Sequence, residues 1–141
     1  MPSAYTLHPE LGILHCRFTG HLNLRDGFAL IDRAARDPLH ADGTNVIADF
    51  LAVSRFDMDW STQRQLTQRM SALARWSGLP RSCALLVSGE PTWSFAGSIV
   101  ATVTLKSPIV FERFKTPAGA LAFVGLDPRQ HLERFGYLPV P

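Results

Sequence analysis

Three carboxylates, Asp49, Asp57 and Asp59, fall close together in the chain. Converging oxygens of this kind are what a hard divalent cation or an acid–base pair requires. Asp57 and Asp59, however, precede an apolar helical periodicity, where an aspartate caps the first turn and needs no metal to explain it. Asp49 ends an apolar run, and a hydrogen bond into the following loop is its simplest use. The five histidines, His8, His15, His21, His40 and His131, show no His-x-x-His or Glu-x-x-His spacing, and no serine sits in a Gly-x-Ser-x-Gly turn. Residues 88–92, opening with Ser88 and Gly89, lead into a helix and present backbone N–H groups to an anion. With a single glycine they lack the phosphate-binding fingerprints and read as an ordinary strand-to-helix turn. Cys16 and Cys83 each lie in an apolar run without a Cys-x-x-Cys partner, as buried thiols of a reducing compartment do. No catalytic residue, metal ligand or cofactor site is expected.

The elements that must position these residues follow from composition and periodicity. With 141 residues, 46% of them hydrophobic and 18% charged, the chain forms one domain over 1–141 with one continuous core. Residues 5–8 and 13–18 are β-type runs joined by the turn Pro9, Glu10, Leu11, Gly12, a hairpin. Leu24, Phe28, Ile31 and Ala35 recur at helical intervals behind an Asn23 cap. Residues 45–50 form a buried strand. A second helix starts at Asp57 or Asp59, lines up Leu66, Met70, Leu73 and Ala74, and ends near Gly78 and Pro80. A strand at 82–88 follows. Residues 91–106 carry both helical spacing and β-branched residues, and a helix is expected because the strands on either side need a crossover. A last strand occupies 109–114, Thr116 caps a helix that opens on Pro117, a helical turn spans 128–134, and the tail 136–141 is not helical. The β-α-β order gives an α/β fold: a single-layer, mixed, mostly parallel five-stranded sheet with an antiparallel edge strand and about four helices.

In such a sheet ligands gather beyond the carboxyl ends of the strands, at a topological switch point. Here that surface would be built from residues 53–60 and 88–93. Phe56, Trp60, Trp76, Trp93 and Phe95 crowd the helix starts. Most belong to the core, and the remainder would form a partner-binding patch. Excluded classes are equally clear. The basic residues are scattered and give a net charge of only +2, which argues against nucleic acid. Arg64, Arg69 and Arg75 share a solvated helix face. The most apolar stretch, 93–105, is interrupted by Ser94, Gly97, Ser98, Thr102 and Thr104 and falls short of the ~20 residues a membrane span needs. The first residues lack a secretory signal, so a cytoplasmic location without membrane contact is expected.

Residues 49–60 also resemble the signature of STAS (anti-sigma-factor-antagonist-like) domains: a strand ending in an aspartate, here Asp49, then a loop, then an apolar–Asp pair, here Phe56 and Asp57, entering a helix. The opening hairpin, Gly20 before the first helix, and the last strand and helix, from Val110 through Val124, are similar to the SpoIIAA-like branch. In regulatory members the residue after the loop aspartate is the phosphorylated Ser or Thr. Here it is Met58, which cannot accept a phosphate, and Asp59 supplies a fixed charge at a helix start. The resemblance implies a non-catalytic protein-interaction or regulatory module without the phospho-switch. Its expected binding residues are Asp49, Ser54, Arg55, Asp57, Met58, Asp59, Trp60, Ser88 and Trp93. Its expected partner is a protein, a second copy included. The alternative is a carrier of a small apolar or lipid-like ligand, with 93–105 lining the cavity.

Overall fold

The computed structural model describes residues 3–56, 61, 64, 65, 68, 82–90, 92–104 and 109–139. The hairpin forms where expected. Strand β1 (Ala4–His8) runs antiparallel to β2 (Ile13–Leu22), with Tyr5 opposite Cys16 and Leu7 opposite Leu14. The connecting turn closes on Gly12, whose φ of 66° is a left-handed conformation that a glycine adopts without strain. Asn23 caps helix α1 (Leu24–Ala35) by accepting the Asp26 N–H at 2.8 Å. The buried stripe of α1 consists of Phe28, Leu30 and Ala34, while the expected Ile31 and Ala35 lie at its half-buried margin.

Strands β3 (Asn45–Phe56), β4 (Ser82–Leu86) and β5 (Val110–Phe114) complete a sheet of order β1-β2-β3-β4-β5, parallel from β2 onward. Residues 92–104 between β4 and β5 are helix α2, so the described part of the ambiguous stretch is helical as expected. The helix expected from Asp57 or Asp59 to Gly78 lies mostly outside the described residues, as do Asp57, Met58, Asp59, Trp60 and Trp76. After β5, Thr116 caps α3 (Pro117–Phe123) through the Gly119 N–H. Then α4 (Pro128–His131) and a 3-10 turn (Glu133–Phe135) lead to the tail.

Because strand order follows chain order, right-handed crossovers place their helices on the same side of the sheet. One face thus carries Leu14, Cys16, Phe18, Ala48, Leu85 and Phe111 beneath α1 and α2. The C-terminal elements close the other, packing Ala120, Leu121, Val124, Leu132 and Phe135 on Ile13, Ile47 and Ala84. The expected switch point is therefore absent, since the strand order never reverses.

The larger departure concerns residues 51–56, expected to be loop and found in β3. Pairing with β2 steps from Arg17–Asp49 to Thr19–Ala52, and later from Gly20–Val53 to His21–Arg55. At each step β3 contains one residue more than β2, which is a β-bulge. The two bulges stretch the strand's repeat from two residues to three, so that Phe50, Val53 and Phe56 all reach the same core face. Phe50 stacks on Phe18 with ring centroids 4.7 Å apart and meets Phe56 edge-on at 6.2 Å. Meanwhile β3–β4 pairing stops at Asp49–Leu86, and β1 pairs with β2 only as far as Arg17. Residues 18–22 and 50–56 consequently run past the neighbouring strands as a two-stranded parallel arm.

Candidate functional site

At the root of this arm the sheet holds a buried polar cluster. Asp49 is 3% exposed. One carboxylate oxygen, Oδ1, accepts the backbone N–H of Leu51 at 2.8 Å, at the first bulge. The other, Oδ2, accepts the Tyr137 hydroxyl at 2.6 Å and lies 3.4 Å from Arg17 Nε. Since Tyr137 donates to Asp49, its hydroxyl oxygen is left to accept from His15 Nε2 at 2.8 Å, so neutral His15 has its proton on Nε2. Arg17 also donates to the Phe135 carbonyl at 3.1 Å and lies 5.2 Å from the Tyr137 ring centre. Burial, reinforced by the Arg17 charge, pulls the His15 pKa down to about 4. Burial and the Asp49 carboxylate push that of the Tyr137 hydroxyl upward. The cluster therefore ties the tail to β2 and β3 with a single carboxylate at its centre. Its groups satisfy one another, and it reaches solvent through Arg17, its side chain 42% exposed, and through the half-buried Tyr137.

The sequence anticipates Asp49 as a hydrogen-bond acceptor for the following segment, and the Leu51 bond is that interaction. It does not anticipate Tyr137, His15 or Arg17. A signal for two of them exists: strands covered on both faces are apolar throughout, and His15 and Arg17 interrupt β2 at alternate positions.

The other expected site residues are not drawn together. Ser54, at the second bulge, and Arg55 are exposed, but on strand and not on loop. Ser88 is exposed just past β4. Trp93 belongs to the first turn of α2 and packs toward the α1–α2 core, with the sheet between it and the Asp49 cluster. Its ring lies under the Arg113 guanidinium at 4.1 Å and the Lys115 ammonium at 4.8 Å, and Arg113 donates to the Trp93 carbonyl at 2.6 Å. Gly97 makes this possible, because a Cβ there would lie 2.4 Å from Arg113 Nη1. Trp93 thus clamps α2 to β5.

Among the described residues no group of His, Cys, Asp and Glu could hold a metal ion. A concavity of about 140 Å³ beside Pro128, Leu132 and Pro139 is smaller than the roughly 300 Å³ of a small-molecule site. Of the apolar residues in 93–105 whose side chains are described, Ala96 and Val100 face the α1–α2 core. No described helix is long and apolar enough to cross a membrane.

Both thiols are buried in that same core, and burial pushes the Cys16 pKa up to about 12 and that of Cys83 upward. Neither should react with a disulfide reagent such as Ellman's within minutes at pH 8, whereas both should titrate after unfolding in guanidinium. A fast-reacting thiol in the native protein would place that cysteine outside the core.

An antiparallel hairpin opening a parallel sheet in chain order, with crossover helices on one face and a C-terminal helical cap on the other, defines a SpoIIAA-like α/β domain. A solved structure carries the same fold: an uncharacterized protein of the DUF3478 family from Shewanella loihica PV-4, described as SpoIIAA-like. It superimposes with a TM-score of 0.52 at 13% sequence identity, covering 86% of this chain and 91% of its own. No family model matches the chain, and no curated protein does.

Proposed function

We propose that the protein is a non-catalytic interaction module of regulatory type, which meets a protein partner through the arm formed by residues 18–22 and 50–56. The observation that carries this reading is the bare face of the arm. Parallel strands are ordinarily covered on both sides, and a two-stranded ribbon is marginal by itself. Here one side packs on the core through Phe50, Val53 and Phe56, while Leu51, Ala52, Ser54 and Arg55 are exposed. A partner laid on this side would complete the layer. The polar cluster below the arm supports a binding role over a catalytic one, because its titratable groups are spent on one another and hold the tail in place. Met58, where regulatory STAS domains carry their phosphorylated hydroxyl, leads us to propose recognition without that switch.

The test is site-specific photo-cross-linking in the native cell, with the probe residue at Ser54 on the arm or, as control, at the exposed Arg33 of α1, which covers the opposite face of the sheet. The arm probe should capture one defined protein that the control does not, and Leu51→Asp should abolish the capture. Identical capture from both positions would remove the arm from consideration. An apolar small molecule found by native mass spectrometry, with no protein captured, would favour the carrier.

A further inference from the structure

We infer that the C-terminal segment is a latch on the arm, with the Asp49 carboxylate as the joint through which tail and arm influence one another. This rests on the reading of the arm as the contact surface and assigns its regulation. The two oxygens of Asp49 serve different elements: Oδ2 holds the Tyr137 hydroxyl, and Oδ1 holds the Leu51 N–H where β3 bulges to begin the arm. Beyond Phe135 the tail is held through Tyr137. Tyr137 donates its N–H to the Leu132 carbonyl at 2.9 Å, and its hydroxyl and ring meet Asp49, His15 and Arg17. The next side chain, Leu138, is 90% exposed. Gly136, with φ of 82°, is the pivot before it.

When Tyr137 leaves, Asp49 retains Arg17 as its charged partner and has an acceptor oxygen to satisfy in a buried setting. The carboxylate turns toward Arg17 and entering water, away from Leu51, and the bulge loosens. Coupling of this kind is reciprocal. A partner that stiffens the arm tightens the tail, and one that bends the arm frees it, so occupancy of the arm is reported at the exposed Leu138 and Pro139.

Native-state hydrogen exchange followed by NMR tests this without any partner, and so independently of the cross-linking. In the wild-type chain the Leu51 and Tyr137 amides should share one opening free energy, below that of Ile47 at the sheet centre. In Tyr137→Phe both should exchange at least about tenfold faster, because a hydrogen bond to a charged acceptor is lost, while amides at the end of α1 stay unchanged. The exposed neighbour substitution Leu138→Ala should change nothing. Unequal opening free energies for the Leu51 and Tyr137 amides would overturn the latch, as would an unaltered Leu51 rate in Tyr137→Phe. The wild-type comparison decides the matter alone if the variant does not fold.

Discussion

Asp49→Ala should lower the free energy of unfolding by about 4 kcal/mol, with the urea m-value unchanged. The substitution deletes an acceptor that serves the Tyr137 hydroxyl, the Leu51 N–H and the Arg17 guanidinium together. The part-buried Tyr137 hydroxyl and Leu51 N–H then lose their acceptor, and an unsatisfied donor costs about 1–3 kcal/mol where water cannot replace the lost partner. Arg17 adds less, because its side chain is 42% exposed and water replaces the carboxylate there. Asp49→Asn separates the contributions: its amide oxygen can still accept from Leu51, but the charge is gone, and about half the loss is expected. Urea unfolding of the three proteins provides the check. A loss below about 1 kcal/mol for the alanine variant would mean that the carboxylate is solvated and the cluster is not closed as described.

The second large effect is on pH dependence, and it comes from His15. Its folded pKa is about 4 against the ordinary 6.5, with burial the main cause and the Arg17 charge next. Between these values the unfolded chain binds a proton that the folded chain refuses, so ν_U exceeds ν_N and stability rises with pH. Acidification from pH 6.5 to pH 4 should therefore remove about 3 kcal/mol through this residue alone, with only a small further loss from it below pH 4. His8, its pKa lowered chiefly by burial and then by Arg134, acts in the same direction. The contribution of His15 is isolated by comparing wild type with His15→Gln across the range. The variant has no proton to take up in this range, so its stability should fall by about 3 kcal/mol less than that of wild type between pH 6.5 and pH 4. A gap independent of pH would show that His15 titrates normally and is not enclosed.

These two residues illustrate how unevenly the site could be read in advance. Asp49 stood out because a carboxylate ending an apolar strand has to be satisfied by something nearby, and the Leu51 N–H two residues on is that local partner. A second partner, Tyr137, lies 88 positions away in a tail that has no periodicity of its own. Likewise the sequence puts Ser54 and Arg55 in a loop, whereas they are exposed on strand β3. The alternation that identifies a strand is broken twice there, and a bulge is defined by the neighbouring strand's register, which β3 alone does not contain. The sequence groups Ser88 and Trp93 with Asp49 by analogy with folds that have a switch point; β3 and β4 are neighbours, but Trp93 packs on the opposite face of the sheet from the Asp49 cluster.

By itself the sequence determined the parts whose physics is local. Gly12 closed the hairpin, Asn23 and Thr116 with Pro117 opened their helices, and the apolar runs made five strands in an order that allowed a mostly parallel sheet. Those signals span a few residues and act through the backbone conformation or hydrogen bonds of the same segment. Tertiary structure alone decided where β3 ends, which face Trp93 occupies, and that His15, Arg17, Asp49 and Tyr137 meet. Each of these depends on which surface a distant segment buries or on a neighbouring strand's register, and not on any residue's own preference.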